Sequence, residues 1–297
     1  MLFNLEQSLI TTECVKNKLL KDLTTVKCGG VASYYFKPYY VKDLISIIDF
    51  CKSDNLKVKI IGNGSNIVFS DNGYNGAIVS LKGLTSVDFI DGKIRAYAGA
   101  SVNKVINFAN SIGYASLEKL IGIPATIGGM TVMNASAFNY MISNNIYSVC
   151  TINNGKLKFY NKKDCKFGYR KSKFLSSSEV VLFVDFDFTN CDVKSAENIK
   201  TYCLNQRLHN QPNGFSCGSV FKNPKNDYAG RLIERSMLKG ERVGGAFVSN
   251  KHANFIINDG TATALDFYKL TNKIQTCVYD KFGVKLCTEV EFVGEFL

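Results

Sequence analysis

Hydrophobic and polar residues follow two different periods along this chain, one typical of strands and one typical of helices. An extended segment at residues 32–36 ends at a lysine–proline pair, and apolar residues at helical spacing follow over residues 41–51. A strand pattern then covers residues 58–61 and leads into a glycine-rich loop at residues 62–66. This order of strand, helix and strand predicts an α/β unit over residues 1–84.

A second unit is predicted over residues 85–195. It begins with a strand pair whose connecting turn, Asp91-Gly92, is typical of a β-hairpin, and a helix that Gly113 ends follows. A buried strand closes the unit. The predicted elements are strands at residues 87–90, 94–98 and 180–188 and a helix at residues 102–112.

The third predicted unit, residues 196–297, starts with a helix through Gln206 and ends with a helix at residues 264–282, after which Gly283 follows. No internal repeat, low-complexity tract or proline-rich linker divides the chain, so we expect the three units to be packed together. With 297 residues, 46% of them hydrophobic, the chain can bury a full core.

Composition argues against several classes of protein. The N-terminus has no basic region followed by a long apolar run, and the longest aliphatic stretch, residues 180–184, is too short to span a bilayer, so a cytoplasmic protein is expected. Ten scattered cysteines without a Cys-x-x-Cys pair indicate reduced thiols. His209 and His252 lack metal-ligand spacing, which argues against a zinc site and a histidine-based hydrolase.

The formal charge of +11 has three interpretations. A lysine-rich compositional bias is the plainest, and a cleft that attracts polyanionic small molecules is the next. Nucleic acid is the least favoured partner, because the lysines are spread along the chain and form no basic arm or recognition helix.

Two glycine-rich loops indicate a bound cofactor. The loop at residues 62–66 can present backbone N–H groups and neutral donors to phosphate oxygens, although it lacks the full dinucleotide and triphosphate fingerprints. A second loop covers residues 122–135. Alone, the first is equally typical of a hairpin turn and the second of close backbone packing; together they favour a dinucleotide cofactor. The candidate cofactor-binding residues are Gly62, Asn63, Gly64, Ser65, Asn66, Gly122, Ile123, Pro124, Thr126, Gly128, Gly129 and Asn134.

Three further segments carry candidate catalytic groups. Within residues 214–224, Ser219 lies beside a glycine, although a strand leaving a turn with a satisfied hydroxyl is the plainer interpretation of that segment alone. Arg170 can clamp a carboxylate bidentately, with a surface salt bridge as the alternative. Near the C-terminus, Glu289 and Glu291 are predicted on one side of a strand, where an acid is usually just solvated.

These segments, in this order, resemble the UDP-N-acetylenolpyruvoylglucosamine reductase (MurB) family over nearly the whole chain. The resemblance rests above all on Tyr-Arg-x-Ser-x-Phe at residues 169–174 and Gly-Ser-Val-Phe-Lys-Asn-Pro at residues 218–224. Further matches lie at residues 24–30, 229–234, 238–240, 244–246 and 251–255. The direct passage from residue 190 to Ser219 resembles the shorter, type II form of the family.

The resemblance implies an α+β fold in which a two-subdomain FAD-binding fold of the vanillyl-alcohol-oxidase (PCMH-like) kind precedes a C-terminal α/β substrate domain. It also implies an oxidoreductase of peptidoglycan precursor synthesis that uses FAD and NADPH to reduce the enolpyruvyl ether of a UDP-sugar, working as a monomer without nucleic acid, membrane or metal. Arg170 would hold the substrate carboxylate, a protonated Glu289 would hydrogen-bond the enolate-like intermediate, and Ser219 would donate a proton. Tyr169, Lys222 and Asn223 are the implied substrate-binding residues.

Some positions depart from the family pattern. Ala125 and Met130 stand where the family has glycine and a small residue, and Ser136 and Asn139 replace two glycines of its Asn-Ala-Gly-Ala-Tyr-Gly segment. Asn210 replaces a common basic residue before Gln-Pro. None of these changes removes an implied catalytic group.

Two other functions differ from this one in features that can be checked. An alcohol or sugar oxidase of the same fold commonly tethers its flavin through a histidine in the FAD domains, and this chain has no histidine before His209. A basic nucleic-acid-binding protein would be colourless, whereas a flavoenzyme is yellow and bleaches when NADPH is added.

Overall fold

A computed structural model describes residues 12–296, which form short sheets with helices between them. The helices, α1–α6, are Val41–Ser53, Val102–Ser111, Ile127–Met133, Val193–Asn210, Ala229–Arg235 and Ala264–Phe282. The first nine strands, β1–β9, are Glu13–Leu19, Val31–Lys37, Val58–Ile61, Ile67–Phe69, Tyr74–Ser80, Val87–Ile90, Lys93–Tyr97, Tyr114–Ala115 and Ser136–Ala137. The remaining strands, β10–β18, are Tyr140–Met141, Ile146–Asn153, Lys156–Asn161, Val180–Phe186, Thr189–Asn190, Arg242–Val243, Ala246–Val248, Ile256–Asn258 and Glu291–Val293.

The larger sheets confirm the predicted α/β and hairpin patterns. One sheet has the order β1-β2-β5-β3, with β3 and β5 parallel, and another has the order β12-β11-β13-β7-β6, with the strand pairs antiparallel. The predicted hairpin turn joins β6 and β7, and both Asp91 and Gly92 have positive φ, as a two-residue turn that matches the twist of the strands requires.

The helices predicted at residues 41–51, 102–112 and 264–282 are present, whereas α3 forms inside the segment predicted as a glycine-rich loop at residues 122–135. The last one spans Ala264–Phe282 as predicted, because Thr263 and Asp266 form a capping box at its start and Gly283 adopts the left-handed conformation at its end. The helix predicted at residues 102–112 is Val102–Ser111, and Ser101 caps it. The strand predicted at residues 180–188 ends earlier, at Phe186.

The described chain divides into two compact units. The first comprises residues 12–15, 34–63 and 76–207, and the second comprises residues 16–33, 64–75 and 208–296. Two hydrophobic clusters form the core of the first unit, and one cluster forms the core of the second. The division into three domains at residues 84/85 and 195/196 stays a prediction.

The second unit is assembled from segments far apart in the chain. Strand β4 pairs in parallel with β18, and Asn258 on β17 donates a hydrogen bond to the carbonyl of Val26 at 2.8 Å. Asp71 accepts hydrogen bonds from the N–H groups of Ala264 and Leu265 at the start of α6, both at 2.9 Å. The serine segment, residues 214–224, and Glu289 belong to the same unit.

Candidate active site

Residues 62 and 63, at the start of the first glycine-rich loop, meet the second loop within the first unit. The side-chain amide of Asn63 donates a hydrogen bond to the carbonyl of Pro124 at 2.9 Å. An ideal Cβ on Gly62 would lie 2.2 Å from Oγ1 of Thr126, so only glycine fits at that position. Residues 62, 63, 124 and 126 therefore lie next to one another, and their contacts with a cofactor stay predictions.

Thr126 tests whether these residues suit a cofactor. Its side chain is 4% exposed, and its Oγ1 has no hydrogen-bond partner among residues 12–296. A buried hydroxyl without a partner is costly, and a ligand that hydrogen-bonds to it removes that cost. Together with the glycine backbone around it, this orphaned hydroxyl fits a polar cofactor such as FAD.

The other predicted cofactor residues have structural partners of their own. The N–H of Gly128 donates to the carbonyl of Ala98 at 2.9 Å, and an added Cβ there would lie 2.8 Å from Cβ of Ala98. Gly128 thus permits close packing, the alternative that its loop alone left open. The N–H of Gly122 donates to Oδ1 of Asn103 at 3.0 Å. The cofactor contacts of Gly122, Ile123, Gly128, Gly129 and Asn134 stay predictions.

Arg207, a residue for which the sequence predicted no role, lies on α4 and supports the second loop. Its Nε donates to the carbonyl of Ile121 at 2.8 Å, and its Cδ would lie 3.2 Å from a Cβ on Gly122. Burial lowers the pKa of this guanidinium below its usual value. The arginine therefore braces the backbone from which the predicted cofactor residues project.

Arg170 lies at a strained turn in the first unit. The N–H of Gly168 donates to the carbonyl of Lys171 at 2.9 Å, and the N–H of Lys171 donates back to Gly168 at 3.1 Å. Between them, Tyr169 is exposed and Arg170 has φ +50, a conformation unfavourable for a bulky residue. Such strain is typical of functional turns, because the surrounding contacts must maintain it.

Asn134 holds this turn against the end of α3. It has φ +44 at the C-cap of the helix, and its side-chain amide donates to the carbonyl of Gly168 at 2.8 Å while Oδ1 accepts from the N–H of Ser143 at 3.3 Å. Its side chain is 1% exposed. The structure therefore brings Asn134, a predicted cofactor residue, to the arginine turn.

The segment that carries Ser219 lies between two other chain segments in the second unit. Ser219 forms an antiparallel bridge with Phe255, and Phe221 forms one with Thr288. The N–H of Lys222 donates to the carbonyl of Cys287 at 2.9 Å. Gly218 has φ +74 and open space where a Cβ would be, so the glycine supplies both the turn and room beside the serine.

Asn254 fixes this segment, a function that its sequence did not reveal. Its side-chain amide donates to the carbonyl of Phe221 at 2.8 Å, its Oδ1 accepts from the N–H of Phe221 at 3.0 Å, and its carbonyl accepts from the N–H of Val220 at 2.9 Å. The side chain is 4% exposed. An asparagine in the segment 251–255 was the one available signal, because a buried amide needs partners on both ends.

Glu289 lies beside the serine segment. Its N–H donates to the carbonyl of Val220 at 2.8 Å, and its carbonyl accepts from the side-chain amide of Asn66 at 3.0 Å. The predicted strand is shorter than expected: β18 begins at Glu291, so Glu289 lies in the bend before it. Of the predicted residues, Ser219, Lys222 and Glu289 therefore lie on adjoining segments.

Asn66 and Asn223, predicted cofactor and substrate residues, both contact backbone groups of the second unit. Asn66 holds Glu289 as described, and the N–H of Ala229 donates to Oδ1 of Asn223 at 3.1 Å at the start of α5. Their roles toward ligands, and those of Gly64, Ser65 and Tyr169, stay predictions.

Comparison with known proteins agrees with this architecture. The FAD binding domain family matches residues 32–154, and the family described as UDP-N-acetylenolpyruvoylglucosamine reductase, C-terminal domain, matches residues 210–293. UDP-N-acetylenolpyruvoylglucosamine reductases of Caldicellulosiruptor saccharolyticus and Carboxydothermus hydrogenoformans are 38% and 37% identical, over 97% and 96% of this chain and 94% and 96% of their own lengths. The crystal structure of the Thermus caldophilus reductase has a TM-score of 0.82 at 30% identity and covers 95% of this chain and 99% of its own.

An FAD-binding domain followed by a reductase C-terminal domain defines this chain as a flavoprotein oxidoreductase. The chain belongs to the UDP-N-acetylenolpyruvoylglucosamine reductase family. The predictions of the family, the fold class, the FAD cofactor and an oxidoreductase acting on UDP-N-acetylenolpyruvoylglucosamine in peptidoglycan synthesis are thereby confirmed. Within residues 12–296, no helix is long and apolar enough to cross a membrane.

Proposed function

We propose that this chain catalyses the NADPH-dependent reduction of the enolpyruvyl ether of UDP-N-acetylglucosamine to the lactyl ether, with Ser219 as the proton donor. FAD, held by the predicted cofactor residues of the loops at 62–66 and 122–135, would supply the redox chemistry: hydride transfer from NADPH to the substrate β-carbon. The serine hydroxyl donates the matching proton to the α-carbon. Hydride and proton together saturate the double bond.

Arg170 neutralises the substrate carboxylate in this proposal. An enol ether becomes an electrophile only when its carboxylate is neutralised and the developing negative charge is stabilised. A guanidinium suits a carboxylate because its N–H groups form two parallel hydrogen bonds to the two oxygens. Glu289, when protonated, donates a hydrogen bond to the same developing charge.

The observation that carries the serine assignment is the set of hydrogen bonds that hold its segment. Asn254 and the backbone of Glu289 hold residues 220 and 221 from two sides, and Gly218 leaves open space next to Ser219. A serine is a weak acid in water, so it needs fixed geometry and a nearby cation to donate a proton. Lys222, three residues further along the same segment, is the candidate cation.

The experiment separates the two half-reactions by stopped-flow absorbance of the flavin. Ser219→Ala should leave flavin reduction by NADPH unchanged, and it should slow reoxidation by the enolpyruvyl sugar by about 100-fold or more, the usual size of a general-acid contribution. Ser216→Ala, in the same segment, serves as the matched control and should leave both rates near wild type. Equal slowing of both half-reactions in Ser219→Ala would overturn the proton-donor role.

NADPH as the reductant and a monomeric, cytoplasmic state belong to the same proposal. Oxidation of NADPH that stops in the absence of the enolpyruvyl sugar supports the reductant, and gel filtration of the holoenzyme tests the oligomeric state.

A further inference from the structure

The turn that carries Arg170 is tied on both sides to one short stretch of chain. The hydroxyl of Ser172 donates to the carbonyl of Val132 at 2.6 Å, and the amide of Asn134 donates to the carbonyl of Gly168 at 2.8 Å. These contacts fix the backbone on either side of Arg170. They do not fix the orientation of the Arg170 side chain, which needs a contact of its own.

Ser136 provides a contact to the charged group itself. The Nη1 of Arg170 donates to Oγ of Ser136 at 2.6 Å, a short distance typical of a charge-assisted hydrogen bond. An arginine side chain can adopt many rotamers, and a hydroxyl at this distance selects among them. A guanidinium has five N–H groups and a bidentate carboxylate uses two, so one committed to Ser136 is compatible with substrate binding.

We propose that Ser136 is a positioning residue, whose hydroxyl holds the Arg170 guanidinium in the orientation that binds the substrate carboxylate. The inference rests on the carboxylate-binding role proposed for Arg170. Ser136 is also a position at which the sequence departs from the glycine of the family pattern, and a glycine has no side chain to make this contact. Ser136 therefore gives Arg170 a hydrogen bond that a glycine at this position could not provide.

Two substitutions of equal shape isolate the hydroxyl. Ser136→Thr keeps it, and Ser136→Val replaces it by a methyl group on the same branched side chain. We expect Ser136→Val to lower kcat/KM for the enolpyruvyl sugar roughly 10-fold relative to Ser136→Thr, the loss of one charge-assisted hydrogen bond. The KM for NADPH and the rate of flavin reduction should be the same in both variants, a split that general damage to the fold would not produce.

Binding of the sugar to the oxidised enzyme gives a readout independent of turnover. Calorimetric titration should show the sugar about 10-fold weaker in Ser136→Val than in Ser136→Thr. Equal affinities and equal kcat/KM values for the pair would overturn the inference. Ser136→Ala against Ser136→Thr gives the same comparison if the valine disturbs the antiparallel pairing of β9 with β10.

Arg170→Ala distinguishes failure of the inference from failure of the proposed function. In that background, Ser136→Val and Ser136→Thr should behave identically, because the partner of the hydroxyl is gone. A persisting difference would assign Ser136 to another partner and overturn the inference. If Arg170→Ala itself leaves sugar binding and reoxidation unchanged, the carboxylate role of Arg170 fails. If Arg170→Ala is impaired but the Thr and Val variants match, only the positioning role fails.

Discussion

Several single residues in this protein have an energetically unfavourable backbone conformation or a buried polar group. Arg170 has φ +50, which costs a non-glycine residue about 1–2 kcal/mol. Thr126 buries a hydroxyl without a partner among the described residues. His252 is half-buried, and its Nδ1 accepts a hydrogen bond from the N–H of Asn254 at 3.2 Å. The first two states lie where ligand binding is proposed, whereas His252 contacts the backbone of Asn254.

Because Arg170 has a strained backbone, two substitutions that abolish its guanidinium should reduce activity alike and differ in stability. Arg170→Gly and Arg170→Ala both lose the guanidinium, so both should lower kcat/KM for the sugar by at least about 100-fold. Glycine tolerates positive φ, so Arg170→Gly should be more stable than Arg170→Ala by about 1 kcal/mol. Chemical denaturation of the two variants checks the difference, and equal stabilities would mean that the turn relaxes without cost.

His252 predicts a pH dependence of stability. Burial lowers the pKa of its imidazole below the usual value of 6.5. The unfolded chain then binds the proton more readily than the folded one, so the contribution to stability is complete above pH 6.5 and is lost as the pH falls below it. Denaturation between about pH 5 and 6.5, above the range of ordinary carboxylates, measures this loss.

His252→Asn serves as the comparison, because asparagine keeps an oxygen acceptor near the position of Nδ1 and does not titrate. Its stability should be flatter over the same pH range. A wild-type profile as flat as that of the variant would contradict the assignment.

At the scale of elements, the long helices could be predicted from local sequence patterns. The candidate active site could not, because it depends on contacts between residues far apart in the chain. The helix Ala264–Phe282 carries its own start and stop signals, so the sequence predicted it closely. The strand Glu291–Val293 has three residues, and its register depends on β4 near the other end of the chain, so residue alternation alone wrongly extended it to Glu289. The contacts of Ser136 and Asn254 join separate elements, so no local pattern could predict them.

A side chain at Gly62, in the loop at residues 62–66, should interfere with cofactor binding through a steric overlap. Gly62→Ala would place a Cβ 2.2 Å from Oγ1 of Thr126. Relieving that overlap should reduce the free energy of FAD binding, or that of unfolding, by about 1–3 kcal/mol. Gly230→Ala is the control, since its added Cβ would meet atoms no closer than 3.4 Å. Fluorescence titration of the apoprotein with FAD measures the affinity, and a wild-type value for Gly62→Ala would show that the loop adapts.

At the scale of the whole molecule, the two units have separate hydrophobic cores. The class of protein follows from the family and could not be derived from composition. Charge and length left several classes of protein open. The order of four short segments along the chain identified the family, because each segment alone has an ordinary structural explanation. Arg170 and Ser219 lie in different predicted units, residues 85–195 and 196–297, so in the sequence only the order of their segments associates them.

FAD should stabilise the holoprotein by mass action. At a free concentration 100 times its Kd, a ligand that binds only the folded state adds about 2.7 kcal/mol, so removing FAD should lower the midpoint of thermal unfolding by several degrees. Scans at increasing FAD concentration test this. Thr126→Val, which lacks the orphaned hydroxyl, should show a smaller shift, and a midpoint independent of FAD would count against cofactor binding by the folded chain.

The pairing of Asn66 with Glu289 has a consequence for synthesis. The two residues are 223 positions apart, and the backbone of Glu289 is fixed only through partners that include the late strand β18. On the ribosome, the loop that contains Asn66 emerges long before its partner is translated. A chain released early would therefore contain the predicted cofactor loops without the contact between Asn66 and Glu289. Translation products that end before residue 289 should not reduce the sugar.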